Sequence, residues 1–214
     1  MPSMNTELFA SWTHAQNAVT EDEVMTRARE RGSELGAHTI DPAGASILQL
    51  LSNLYSPRNA VQIGAGVGVA SLSILRGMGT NGTLTVIESD LENVGALREA
   101  LREDRVLGAR ARIITERAAT VLGRLTDRAY DMVLIDAEHE NLLDYVAEAK
   151  RLIGKRGVII ICNAFDEHRL AKPAVRKAST VAMRDAMRML REDPNLLCHL
   201  LPTEQGLFIA AAKH

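Results

Sequence analysis

The sequence predicts an α/β fold, a largely parallel sheet covered by helices on both faces, and three observations carry that prediction. From Ala60 to Ile161, near-continuous apolar strands alternate with amphipathic helical stripes, the pattern of strands buried on both sides. The first strand runs from Val61-Gln62-Ile63 into the glycine-rich turn Gly64-Ala65-Gly66-Val67-Gly68. The chain then ends in two apolar runs flanking a short polar loop, which reads as an antiparallel hairpin.

Two helices precede the sheet. Thr20 to Gly36 opens on Thr20-Glu21-Asp22-Glu23, an N-cap with a capping-box carboxylate, and stops at Gly36. Asp41-Pro42 opens the second, with Ile47, Leu48, Leu51 and Leu54 on one face and Ser56-Pro57 as its end. Strands follow at Ala60–Ile63, Thr83–Ile87, Arg110–Thr115, Asp131–Ile135 and Gly157–Ile161. Between them lie the stripe Leu91, Val94, Leu97, Leu101 and the stripe Leu142, Leu143, Val146, Leu152, Ile153. A helix through Met183, Met187 and Leu190 leads to the hairpin strands Leu196–Leu201 and Leu207–Ala211 around Pro202-Thr203-Glu204-Gln205-Gly206. The three residues at helical spacing read as core.

A length of 214 residues suits one domain, residues 1–214, with a helical N-terminal part (1–56) and a sheet-bearing core (57–214). Net charge is −2, and the chain holds one Trp, three Tyr and three Phe. That leaves neither a strong field nor stacking platforms for nucleic acid. The arginines between Arg98 and Arg128 are interleaved with acids, as on a solvated helix face. No apolar run is long enough to span a bilayer, and Met1 to Ala10 lacks the basic-then-apolar pattern of a secretion signal. Cys162 and Cys198 both sit in apolar runs, so free buried thiols in the cytoplasm are expected.

The glycine turn and the second strand together point to a ligand. Glycines at alternate positions let backbone approach a bound molecule, and Thr83–Ile87 ends in Glu88, 24 residues after Gly64. A carboxylate there can accept both hydroxyls of a ribose. Dinucleotide sites add a Gly-x-x-Gly spacing for the pyrophosphate. Here the residue three after Gly66 is Val69, which favours a nucleoside ligand without a pyrophosphate.

The order of these pieces resembles the seven-stranded, Rossmann-like class I methyltransferases. From about Thr20 to Ala211, Ile40-Asp41-Pro42, Val61–Gly66, Ile87-Glu88, Leu134-Ile135-Asp136-Ala137-Glu138 and Ile160-Ile161-Cys162-Asn163 follow one family in sequence. The chain is similar to the small bacterial S-adenosylmethionine-dependent O-methyltransferases related to the catechol and caffeoyl-CoA enzymes. The resemblance implies a homodimer acting on a small hydroxyl-bearing acceptor. It places Thr39 and Ile40 against the methionine end of the cofactor, Gly64, Gly66 and Gly68 beneath it, Glu88 on the ribose, and Arg117-Ala118 at the adenine. Gln62 and Asp136 complete the implied cofactor set.

In the resembling enzymes a divalent cation, usually magnesium, is held by an acid at Asp136 and by an Asp-Asn pair. Here that pair is Cys162-Asn163. A thiol removes charge and is too soft for magnesium, which prefers hard oxygen ligands. Asp136 and Asn163 alone make a poor site, so transfer without the metal is expected. The family's acceptor-deprotonating lysine is replaced by His139, an imidazole suited to general-base work. Asp136 and His139 are thus the catalytic candidates. Gln62, Ala70 and Glu116 also stand where the family usually has Glu, Ser and Gly. These departures motivate two rivals to the O-methyltransferase, a cofactor-binding protein without catalysis and, from the glycine turn alone, an NAD-dependent oxidoreductase.

Overall fold

In a computed structural model of the chain, residues 4–106 and 108–213 are described. Residues 1–3, the start of the segment Met1–Ala10, lie outside them. Helices α1 (Met4–Asn17), α2 (Glu23–Leu35) and α3 (Pro42–Tyr55) lead into β1 (Asn59–Ile63). Then follow α4 (Val69–Gly77), β2 (Thr83–Ile87), α5 (Leu91–Glu103), β3 (Ala111–Ile114), α6 (Ala118–Val121) and β4 (Tyr130–Ile135). The rest is α7 (Leu142–Leu152), β5 (Ile153–Ile161), α8 (Ala178–Arg191), β6 (Leu196–Leu201) and β7 (Leu207–Ala212).

The seven strands form one sheet in the order β3-β2-β1-β4-β5-β7-β6. The first five are parallel to their neighbours, and β7 pairs antiparallel with both β5 and β6. Both faces are covered. Leu48, Leu72, Leu75, Leu84 and Leu97 belong to the apolar layer under α2 to α5. Ile63, Val133, Val146, Met183, Met187 and Phe208 belong to the layer under α7 and α8. The methionines at helical spacing are therefore core, at 0% and 3% exposure.

The caps at Gly36 and Asp41 match the sequence reading, whereas α2 starts at Glu23 and is capped by Asp22, so Thr20 and Glu23 form no capping box. Asp22 caps α2 by accepting from Met25 N at 3.0 Å, and Gly36 closes it in the left-handed conformation. Asp41 caps α3 through Gly44 N at 2.8 Å, with Pro42 in its first turn.

Three further details differ from the sequence reading. α1 is a third N-terminal helix; its Leu8 and Phe9 are 70% and 65% exposed, so no buried stripe marked it. β5 starts at Ile153, four residues early, because the strand takes in exposed Lys155 and Arg156 across an irregularity between Tyr130 and Met132. Cys162 is buried, but Cys198, on edge strand β6, is only half-buried.

Register places the site. Ile63 pairs with Ile87 and Ile135, and Ile135 pairs with Ile161. The next residues, Gly64, Glu88, Asp136 and Cys162, therefore come level along the carboxyl edge. The order β2-β1-β4 reverses direction at β1, which opens the crevice where α/β sheets bind ligands.

Candidate functional site

The floor of the crevice is the turn after β1. Gly64, Gly66 and Gly68 all have positive φ, at 75°, 48° and 99°, a conformation that costs a side chain roughly 1–2 kcal/mol. Close packing adds a second demand at Gly64, where a Cβ would sit 2.5 Å from the carbonyl oxygen of Asp136. At Gly66 a Cβ would meet only the carbonyl oxygen of His38, at 3.4 Å. Gly64 thus lets β1 and β4 converge, while Gly66 keeps the upper face of the turn bare.

Glu88 organises this turn. Its Oε2 accepts from Ala65 N and Gly66 N, both at 2.9 Å, and its Oε1 accepts from Ser89 N at 2.8 Å and Asp90 N at 3.0 Å. The carboxylate is fixed at the mouth of the crevice by four amides. Gln62 works from below: fully buried, it donates to the carbonyl of Gly64 (3.0 Å) and accepts from the Ser71 hydroxyl (2.7 Å). Both ends of its amide are engaged within the protein, joining the turn to α4.

Thr39 and Ile40 are held from two sides. Arg29 of α2 donates to the Thr39 hydroxyl (3.2 Å) and to the Ile40 carbonyl, while Glu21 pairs with its guanidinium. From the hairpin loop, Gln205 Nε2 donates to the Thr39 carbonyl at 3.1 Å, and Gln205 N donates to Asp41 at 3.2 Å. Gln205 Oε1 is buried without a hydrogen-bond partner, an acceptor left over beside Thr39. Arg117 is the exposed residue before α6, and Ala118 begins that helix. Both follow β3 on the same side of β1 as Glu88.

Beyond β4 the site becomes less charged. Burial pushes the Asp136 carboxyl up to about 7; the Cys162 thiol, hydrogen-bonded to it, pulls the other way, and the Glu88 charge adds to the rise. Burial, then the neighbouring Asp136 charge, drives the Cys162 thiol well above its ordinary value. A protonated thiol donating to a carboxyl, with the amide of Asn163 beside it, is not a hard oxygen cage. This donor set does not fit magnesium. Among the described residues, no group of three His, Cys, Asp or Glu is disposed to hold an ion.

His139 stands in a short turn after β4. Its imidazole is largely buried, and this burial lowers its pKa, against the pull of Asp166 and with the help of Arg169. Nδ1 lies 3.7 Å from Asp166 Oδ1. Asp166 was not singled out from the sequence, because it lies in the loop after β5 where no periodicity or motif marks it. Gln205 was missed for a similar reason: its contacts with Thr39 and Asp41 span more than 160 residues of chain.

A rim encloses the crevice. Ala164 N and Phe165 N donate to the carbonyls of Gly206 and Gln205, at 3.0 and 2.9 Å. Trp12 Nε1 of α1 donates to the Pro202 carbonyl at 2.8 Å. α1, the hairpin loop and the loop after β5 are thereby tied together over the carboxyl edge.

Comparisons with known proteins agree with this architecture. A family model described as O-methyltransferase matches residues 15–213. A protein of Mycobacterium tuberculosis named a probable O-methyltransferase is 38% identical over 199 residues, covering 93% of this chain and 89% of its own. A solved Corynebacterium glutamicum protein superposes with a TM-score of 0.87 at 25% identity, covering 97% of this chain and 99% of its own. The O-methyltransferase of Bacillus cereus, solved in complex with S-adenosylhomocysteine (SAH), superposes with a TM-score of 0.83 at 20% identity, over 95% and 97% of the two chains. With the family model spanning nearly its whole length and a relative 38% identical over 93% of it, the chain belongs to the O-methyltransferase family.

Proposed function

We propose that this protein is an S-adenosylmethionine-dependent O-methyltransferase that methylates a small hydroxyl-bearing acceptor without a divalent cation. The observation that carries the reading is Glu88, locked by the amides of Ala65 and Gly66 at the mouth of the crevice. A carboxylate so placed can take the ribose hydroxyls in exchange for part of its four amide bonds, and the backbone that holds it shapes the turn beneath the methionine portion. The bare face at Gly66 and the unpartnered Gln205 Oε1 beside Thr39 fit the same ligand. The latter is suited to a donor such as the cofactor's ammonium group. Arg117 and Ala118 would border the adenine, and Gly68 would open α4 beside it. Gln62 acts on the cofactor through the turn it braces, and Asp136 borders the sulfonium.

When bound, the cofactor supplies an electrophilic methyl group. The protein's share is orientation, exclusion of water and acceptance of the hydroxyl proton. His139 is the base. Its depressed pKa keeps it neutral near pH 7, and it stands three residues past Asp136, where the family resemblance puts the acceptor-deprotonating lysine. An NAD-dependent oxidoreductase is not favoured, since Val69 replaces the third glycine and β7 inserts antiparallel between β5 and β6.

The chain works as one domain and, in this reading, as a cytoplasmic homodimer. Exposed Leu8 and Phe9 on α1, or Leu197 on the hairpin, would lie at the interface. Light scattering that finds only the 23.3 kDa monomer at micromolar concentration would refute the dimer. The activity is tested by calorimetry with S-adenosylmethionine and SAH, and by turnover on a panel of phenols and hydroxamates. Failure to bind either nucleoside at millimolar concentration would overturn the reading.

A further inference from the structure

We propose that Asp166 is the positioning residue of the base: its carboxylate faces Nδ1 of His139 and holds the imidazole with Nε2 directed at the acceptor hydroxyl. The inference rests on His139 acting as the base of an O-methyltransferase, and it adds a residue that neither the sequence pattern nor the family resemblance marks.

Geometry supports it first. Asp166 follows β5 and His139 follows β4, neighbouring strands whose carboxyl ends are level. Their side chains are 1% and 14% exposed, with Nδ1 and Oδ1 3.7 Å apart. That is ion-pair rather than hydrogen-bond range, a looseness that catalytic contacts often show before substrate closes on them. Asp166 itself is tightly fixed. Arg169 donates Nε to Oδ2 at 3.0 Å and Nη2 to Oδ1 at 2.9 Å. From α8, the Thr180 hydroxyl donates to Oδ2, as does Ser179 at 3.3 Å. Its backbone N–H is bonded to the Asn163 carbonyl at 2.9 Å. Arg184 of α8 secures the rest of the loop through the carbonyls of Leu170, Lys172 and Val175. Asp166, Glu167 and His168 hold successive positive φ angles of 49°, 50° and 61°. So unfavourable a run persists only where surrounding contacts impose it.

Charge balance points the same way. The groups that act on His139 are Asp166, Glu167 and Arg169 of the loop, together with His38 ahead of α3. Glu138 and Glu140 flank it on its own turn and are exposed. α8, packed against that turn, offers the Ser179 and Thr180 hydroxyls to Asp166 and directs Arg184 to backbone carbonyls. Glu167 also pairs with Arg169. Two carboxylates therefore share one guanidinium, and the cluster carries one net negative charge while His139 is neutral. Protonating His139 neutralises it. Burial would raise the Asp166 carboxyl, but hydrogen bonds from Arg169, Thr180 and Ser179 hold it down at about 2. It therefore stays ionised whenever the imidazolium forms.

In the transfer step the acceptor oxygen forms a bond to the methyl carbon as that carbon's bond to sulfur breaks. The electron pair stays on sulfur, SAH leaves, and the hydroxyl proton ends on Nε2 of His139. Asp166 remains a carboxylate throughout, opposite the new charge.

The test uses the full-length protein and three readouts. The His139 pKa is followed by NMR in the native protein and in Asp166→Asn, with the signal assigned through His139→Gln. SAH affinity is measured by calorimetry, and kcat against pH on whichever phenol of the panel turns over. Asp166→Asn should lower the His139 pKa, leave SAH affinity within about twofold, and reduce kcat by about 10²-fold with a smaller change in KM. Asp166→Glu should recover part of the loss. If Asp166→Asn does not fold, Thr180→Val keeps shape and charge, leaves the carboxylate more basic, and should raise the His139 pKa. A His139 pKa that is unmoved by these changes, or that rises in Asp166→Asn, overturns the pairing. A shifted pKa with an unchanged kcat–pH profile overturns its catalytic use. Absence of turnover by the native chain on every acceptor instead overturns the O-methylation reading beneath it.

Discussion

Two glycines two residues apart should respond to the same substitution differently, Gly64 mainly in stability and Gly66 mainly in cofactor affinity. Gly64→Ala places a Cβ at φ +75°, 2.5 Å from the Asp136 carbonyl oxygen and 2.9 Å from Ala137. The left-handed conformation costs an L-residue about 1–2 kcal/mol, and forcing an atom against backbone costs about 1–3 kcal/mol more. A loss near 3 kcal/mol lowers Tm by about 6–12 °C in a chain of this size. Gly66→Ala, at φ +48° with only the His38 carbonyl at 3.4 Å, bears the conformational cost alone. Its Tm should fall by about 2–8 °C. Yet Gly66→Ala should cost SAH at least about tenfold in affinity, or about 1.4 kcal/mol, because its methyl group fills the bare face. Calorimetry and thermal melts on the two variants decide the matter. A Gly64→Ala melt within 3 °C of native would refute the close-packing argument, on the scale of about 2–4 °C per kcal/mol. Native SAH affinity in Gly66→Ala would refute the cradle.

Asp136 carries a folded pKa of about 7 against an ordinary 3.8. The unfolded chain releases this proton first, so stability falls as pH rises from about 4 to about 7 and is level above that. Asp136→Asn removes the penalty and should raise Tm at pH 8 relative to native while leaving pH 4 nearly unchanged; equal shifts at both would contradict the assignment. Gln62→Glu puts an oxygen against the Gly64 carbonyl where an N–H now donates. It should destabilise the fold by about 1–3 kcal/mol at pH 8 and recover on acidification, as read by melts across pH. Trp12→Phe loses the bond to the Pro202 carbonyl and should cost about 1 kcal/mol with no change in SAH affinity; a tenfold loss of affinity would place α1 in the cofactor site.

Most of the fold was legible because its strands are buried on both faces and its helices carry apolar stripes. β1 and β2 match the sequence reading to within a residue, and the hairpin and the caps at Asp41 and Gly36 follow it closely. α1 escaped because its apolar residues face solvent, and the start of β5 because Lys155 and Arg156 interrupt the strand. The placement of Glu88 at the end of its strand was readable from spacing alone. Asp166 and Gln205 were not. Each is positioned by a loop conformation and by long-range contacts that leave no period in the sequence.

The central claim, methyl transfer to a hydroxyl with His139 rather than a cation as activator, is tested most directly by one measurement. Transfer of labelled methyl from S-adenosylmethionine to the phenol panel is followed in EDTA and again in millimolar magnesium. The account predicts equal turnover in both, with a pH profile governed by one ionisation below the ordinary imidazole value. Turnover that appears only with magnesium would contradict it, and would show that Asp136 and Asn163 hold the ion despite Cys162.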